Sequence, residues 1–144
     1  MIDTIIKRAF VPATLVMTLL GTGVAFGQGN VTTINKNSIA EPITLSGTSG
    51  GSVDSGDCGS VSSTPNQVIK VTERIDYMRV AVEAAGEPTL IVDGPNGRFC
   101  LLPDSFSGQP EMSGLWMEGT YKISVGDTSD AQNPFEISIS NQKP

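Results

Sequence analysis

The chain has 144 residues, the length of a single domain at roughly 150 residues each. Nine basic side chains against 15 acidic ones give a formal net charge of −6, and with no basic cluster this argues against a nucleic-acid partner. Histidine is absent, which excludes Ser-His-Asp triads, Cys-His nucleophiles and His-bearing zinc and haem sites.

Residues 1–27 read as a secretory signal peptide. Lys7 and Arg8 form a short basic region, and Ala9 to Phe26 carry no charge. Ala25-Phe26-Gly27 then places small residues at −3 and −1 of a cut before Gln28. The alternative is a retained anchor, since the 18 uncharged residues approach the length of a span. Pro12, Gly21 and Gly23 weaken such a helix, so the expectation is export to the periplasm or beyond, with no membrane span after cleavage. The chain from Gln28 onward would carry a net charge of −7.

Residues 28–39 form a polar lead-in with a short Val31-Thr32-Thr33-Ile34 stretch. Ile43-Thr44-Leu45-Ser46 alternates as a strand does. Residues 46–63 hold seven Ser and five Gly. They read as ordered turns rather than a free linker, because Val53, Cys58 and Val61 sit among them. Val68–Val71 and Tyr77–Glu83 alternate apolar and polar, the pattern of half-buried strands. Thr89–Asp93 is an apolar, β-branched run. Asn96-Gly97 marks a hairpin turn, and Arg98–Leu102 is the return strand. Pro103–Gly114 reads as a polar loop. Leu115-Trp116-Met117 and Thr120–Val125 read as a further hairpin-like unit, and Phe135–Ser140 as the last strand. No amphipathic helical pattern interrupts the series. Seven or eight short strands with turns between them predict an all-β, two-layer antiparallel β-sandwich.

Cys58 and Cys100 are the only cysteines. In an exported chain such a pair reads as a disulfide, and a loop of this size corresponds to about 4 kcal/mol by chain entropy. Without histidine or a CxxC spacing, the pair makes a poor metal or redox motif.

Thr89-Leu90-Ile91-Val92-Asp93-Gly94-Pro95-Asn96-Gly97 resembles the "TLxVxGPDG" turn of the bacterial pre-peptidase C-terminal (PPC) domain family. Downstream, Trp116-Met117-Glu118-Gly119-Thr120-Tyr121-Lys122-Ile123-Ser124-Val125-Gly126 resembles that family's "pGtYxvxVG" strand. Leu45-Ser46-Gly47, Gly50-Gly51-Ser52 and Arg79-Val80-Ala81-Val82 fit its early strands. The resemblance spans about residues 40–140, placing the domain at 40–144, and cysteines of single-domain exported relatives fall where Cys58 and Cys100 do. It implies a jelly-roll-like, noncatalytic accessory or binding module in free-standing form. Relatives often follow the second cysteine with a run of Asp that helps hold Ca²⁺. Here Leu101-Leu102-Pro103 precede Asp104. Calcium prefers several carboxylates among six to eight oxygens, so Asp54, Asp57 and Asp104 are a thin ligand set and read as solvated loop acids. No metal and no cofactor is expected.

The expected function is therefore noncatalytic binding in the envelope or outside the cell, to an envelope protein or an extracellular polymer. Asp104 and Glu111, in the polar loop, are the candidate contacts. Trp116 is the third; with Tyr77 and Tyr121 it would offer a sugar-stacking face under the carbohydrate alternative, although a lone Trp beside a strand more often packs in a core. A hydrolase of unrecognised type is the second alternative. No Ser-Lys or carboxylate pair stands out to support it.

Overall fold

Residues 30–144 are described by a computed structural model; the expected leader and its cleavage site lie outside them. The described chain contains no helix and eleven strands. They are β1 (Asn30–Ile34), β2 (Ile43–Thr48), β3 (Val53–Asp54), β4 (Ser60–Val61), β5 (Gln67–Val71), β6 (Ile75–Ala84), β7 (Pro88–Gly94), β8 (Gly97–Leu101), β9 (Glu111–Trp116), β10 (Gly119–Asp127) and β11 (Pro134–Ser140).

The strands form two sheets, as the alternation predicts. The four-stranded sheet runs β2-β11-β6-β9 and is antiparallel throughout. The seven-stranded sheet is organised on β10, with β5 and β4 against one edge and β7 against the other; β8 then pairs with β7. Consecutive strands repeatedly switch sheets, so each sheet's apolar face is closed by strands distant in sequence. In β6, Met78, Val80 and Val82 are buried while Asp76 and Glu83 face water. In β11, Phe135, Ile137 and Ile139 point inward. Opposite them lie Ile69 and Val71 of β5, Leu90 and Val92 of β7, and Ile123 and Val125 of β10, in one continuous core.

Three local expectations are corrected. The polar lead-in contributes a strand: β1 pairs in parallel with β5, and Ile34 and Ile39 belong to the core. Parallel pairing requires a long crossover, and residues 35–66 supply it. Second, Pro103–Gly114 is only partly loop, because β9 starts at Glu111. Its inward positions are Met112, Gly114 and Trp116, and the glycine hides the apolar period. Third, β9 and β10 do not form a hairpin. They belong to different sheets, and the chain arches between them at Met117-Glu118. Trp116 explains the arch. Its ring meets Tyr121 edge-on with centroids 4.8 Å apart, across the interior, and its Nε1 donates to the Met78 carbonyl at 3.0 Å.

The turn between β7 and β8 uses Pro95-Asn96, with Gly94 opposite Gly97. Pro95 presets the first turn torsion, and Gly97 adopts φ +107°, a conformation that favours glycine. Gly94 lies against the Tyr121 ring, where any side chain would overlap it.

Cys58 and Cys100 form a disulfide with Cα atoms 5.9 Å apart. With Val61 and Ile91 they make a small second cluster on the outer side of the seven-stranded sheet. The bond ties the Ser/Gly-rich segment to β8, where apolar mass is scarce. Reduction should therefore lower unfolding stability by about 4 kcal/mol, measured by urea titration of oxidised and reduced protein; unchanged stability would contradict this role.

Asp127 is fully buried at the end of β10. Burial pushes its carboxyl up, but the Ser129 hydroxyl and the amides of Ser129, Glu87 and Ala131 outweigh it, and the group titrates below the ordinary carboxylate value. Its stabilisation is thus present above the unfolded-state value near pH 4 and is lost as pH falls through the lower folded-state value. Asp127→Asn should cost about 1–3 kcal/mol near neutral pH, and melts followed down to about pH 2 should show the two proteins converging.

Candidate functional site

Inward positions are committed to the core, so chemistry is left to the outer faces, the edges and the loops. The outer face of the four-stranded sheet holds a groove of about 470 Å³. Its floor is β6 and β11, and its wall is the segment 107–111. The wall is pinned to β6 through the sheet's own hydrogen-bonding groups. Gln109 Oε1 accepts from Ala84 N at 3.0 Å, Gln109 Nε2 donates to Ala84 O at 3.2 Å, and Pro110 O accepts from Val82 N at 3.0 Å.

The groove is acidic. Glu83 of β6 and Glu136 of β11 are direct register partners, so their side chains share one face. Like charges placed opposite one another oppose pairing. Glu111 stands at the wall and is engaged by Arg79, whose Nε and Nη2 lie 2.9 and 2.6 Å from Glu111 Oε2. Ser107 and Ser138 add hydroxyls to the lining. This arrangement suits a guanidinium or ammonium group from outside.

The expected site residues are dispersed. Glu111 lines the groove, whereas Asp104 lies in the loop beyond it, its Oδ1 accepting from Phe106 N at 2.9 Å. Trp116 is only 2% exposed and Tyr121 only 4%, so neither offers a ring to a ligand. Lys143 Nζ sits 5.2 Å from the centroid of Tyr77. The sugar-stacking face is therefore not assembled from these rings. Sequence reading missed Glu83 and Glu136, because residues 85–133 separate β6 from β11; alternation shows that both acids face outward but not that they meet.

The calcium candidates do not converge. Asp57 forms a two-pronged pair with Arg98, at 2.9 and 3.2 Å, and the guanidinium holds its carboxyl below the usual range. Asp54 Oδ1 accepts from Gly56 N at 2.8 Å. Among the described residues the metal-compatible group is Asp57 with Cys58 and Cys100, and those two sulfurs are bonded to each other. They are not thiolate ligands.

No family model matches the chain. The uncharacterized protein Synpcc7942_2126 of Synechococcus elongatus is 36% identical over 107 residues, covering 72% of this chain and 78% of that protein. The chain belongs to the same family as this cyanobacterial protein. Among solved structures, the pre-peptidase C-terminal domain of a Bacillus anthracis collagenase superposes with a TM-score of 0.52 and 14% identity, over 78% of this chain and 95% of that domain. The fold is therefore PPC-like. The Salmonella Typhimurium protein PliG, a periplasmic inhibitor of g-type lysozyme, superposes more loosely, with a TM-score of 0.42 and 14% identity over 78% of this chain and 98% of that one. Among the described residues, no helix is long and apolar enough to cross a membrane.

The opposed carboxylates carry a measurable consequence. Glu136→Lys converts a repulsive cross-strand pair into an attractive one and should raise stability by about 0.2–1 kcal/mol in low salt. Urea titration checks this; a loss of stability would mean that the two carboxylates are not opposed in solution.

Proposed function

We propose that this chain is an exported, noncatalytic binding protein that holds a protein partner in the envelope or outside the cell. The observation that carries the reading is the pinned acidic groove over β6 and β11. It is preformed, it is charged, and its lining pairs no nucleophile with a histidine base, since the sequence has none. The PPC-like fold supports a scaffold role but assigns no activity. The Cys58–Cys100 bond and the leader-like first 27 residues support an oxidising compartment.

The role of Glu111 is to border the groove while Arg79 holds it in place. Glu83 and Glu136 supply charge that no cation among the described residues pairs with. A basic side chain from a partner would relieve that repulsion on binding.

The test is affinity capture from the native envelope with the oxidised, tagged protein. One protein should be enriched, and Glu83→Gln with Glu136→Gln should reduce its recovery about tenfold, the equivalent of about 1.4 kcal/mol, while circular dichroism stays unchanged. Retention on isolated polysaccharide, unaffected by the double substitution, would favour the carbohydrate alternative. Robust hydrolysis by the purified protein would contradict the noncatalytic reading. Intact mass of the native protein should begin at Gln28; a mass retaining residues 1–27 would contradict export by cleavage.

A further inference from the structure

Large apolar side chains left in water are concentrated in one stretch of the described chain. Seven large apolar residues are exposed among the described residues, and five of them, Phe99, Leu102, Phe106, Leu115 and Met117, fall between residues 99 and 117. This stretch comprises β8, the loop 102–110 and β9, which is to say one edge strand of each sheet and the segment joining them. The two edges flank the same side. The far end of β9 is fixed to the β7–β8 turn, because Tyr121 donates to Met117 O at 2.7 Å and its ring lies on Gly94. The near end of β9 is reached from the end of β8 by the loop.

Phe106 is 98% exposed. It is presented, not loose. Asp104 Oδ1 accepts its amide, Gly108 N donates to Asp104 O at 2.7 Å, and Gln109 clamps the loop's end to Ala84 of β6. The backbone that carries the ring is held this way, which lowers the loop entropy that binding would otherwise remove. Buried aromatic anchors dominate the energetics of protein interfaces, and exposed apolar clusters mark them.

The rim of this surface is acidic. Asp104, Glu111 and Glu118 stand along it, and the cations beside them, Arg98 of β8 and Arg79 of β6, are already engaged by Asp57 and Glu111. That charge disfavours an anionic bilayer, and it disfavours a second copy of the chain meeting the same edge. The β9 edge is also a poor template for strand pairing: its register against β6 is broken between Ile75 and Met78, and Gly114 adopts φ +133°.

We infer that the β8–β9 side docks a folded protein partner, with Phe106 entering an apolar pocket bordered by Lys or Arg. The inference rests on the binding role proposed above and names the partner's chemistry. It sits beside the acidic groove, so one basic partner surface would span both.

The experiment replaces Phe106 with the photoreactive p-benzoylphenylalanine in the full chain, in cells that make the protein, with Thr33→p-benzoylphenylalanine on β1 as the control. Irradiation should give one heteromeric protein adduct from position 106 and not from position 33. The crosslinked segment of the partner should contain apolar residues with Lys or Arg beside them. Capture of that same protein by the chain should fall about tenfold on Phe106→Ala, and should weaken as NaCl rises from about 50 to about 500 mM. A lipid adduct, a homodimeric adduct, an acidic partner segment or no adduct at position 106 would overturn the inference. The binding role is judged separately. A partner still lost on Glu83→Gln with Glu136→Gln but indifferent to Phe106→Ala would leave that role standing and remove this docking side.

Discussion

The two sheets share one interior, and the contact that fixes how they meet is Trp116 against Tyr121. Trp116 comes from the edge of the four-stranded sheet and Tyr121 from the central strand of the other. Each has its polar atom satisfied by backbone, Trp116 by Met78 and Tyr121 by Met117, so the aromatic pair enters the core without an unpaired donor. The arch of the chain at Met117-Glu118, the absence of a β9–β10 hairpin and the position of the β8–β9 side all follow from that contact. Because Trp116 serves this purpose, it is not a ligand platform.

The remaining surface divides by what the core and the disulfide take up. Cys58 is fully buried beside Val61 and Ile91, which covers part of the outer face of the seven-stranded sheet with the Ser/Gly-rich segment. Among the described residues, the outer face of the four-stranded sheet has no such cover. It keeps Glu83, Glu136 and Glu111 facing the groove, and its neighbouring edge keeps Phe99 and Phe106 in water. Folding alone favours neither opposed carboxylates nor a fully exposed phenylalanine. Both features lie on surfaces that adjoin at the loop 102–110, which gives the binding reading its location.

Much of the fold was legible in the sequence because strands β6 and β11 carry an alternation that burial enforces, because β7 is a continuous apolar run buried on both faces, and because a turn rich in Pro, Asn and Gly separates β7 from β8. The oxidised pair was legible because an even cysteine count acquires meaning from the leader-like pattern of the first 27 residues. What stayed hidden is pairing between strands that are remote in sequence. The strand at Asn30–Ile34 looks polar because only Ile34 reaches the core. β9 is masked by Gly114, and its assignment to the other sheet depends on where Trp116 packs. Within the candidate site, Glu111 was visible as a loop acid, whereas Glu83 opposite Glu136 appears only once the register of β6 on β11 is known. The exposure of Phe106 was equally hidden, since a lone aromatic in a polar loop usually folds back onto the nearest apolar surface.

The proposed binding side runs from the groove on β6 and β11 to the adjoining edge from Phe99 to Glu118. Hydrogen exchange of the oxidised protein, free and in complex with the partner it retains, locates that side. Binding should slow exchange in the segments that cover Arg79–Ala84 and Phe99–Glu118, with β1 and β5 unchanged. Protection confined to β1, β5 and the outer face of the seven-stranded sheet would contradict it.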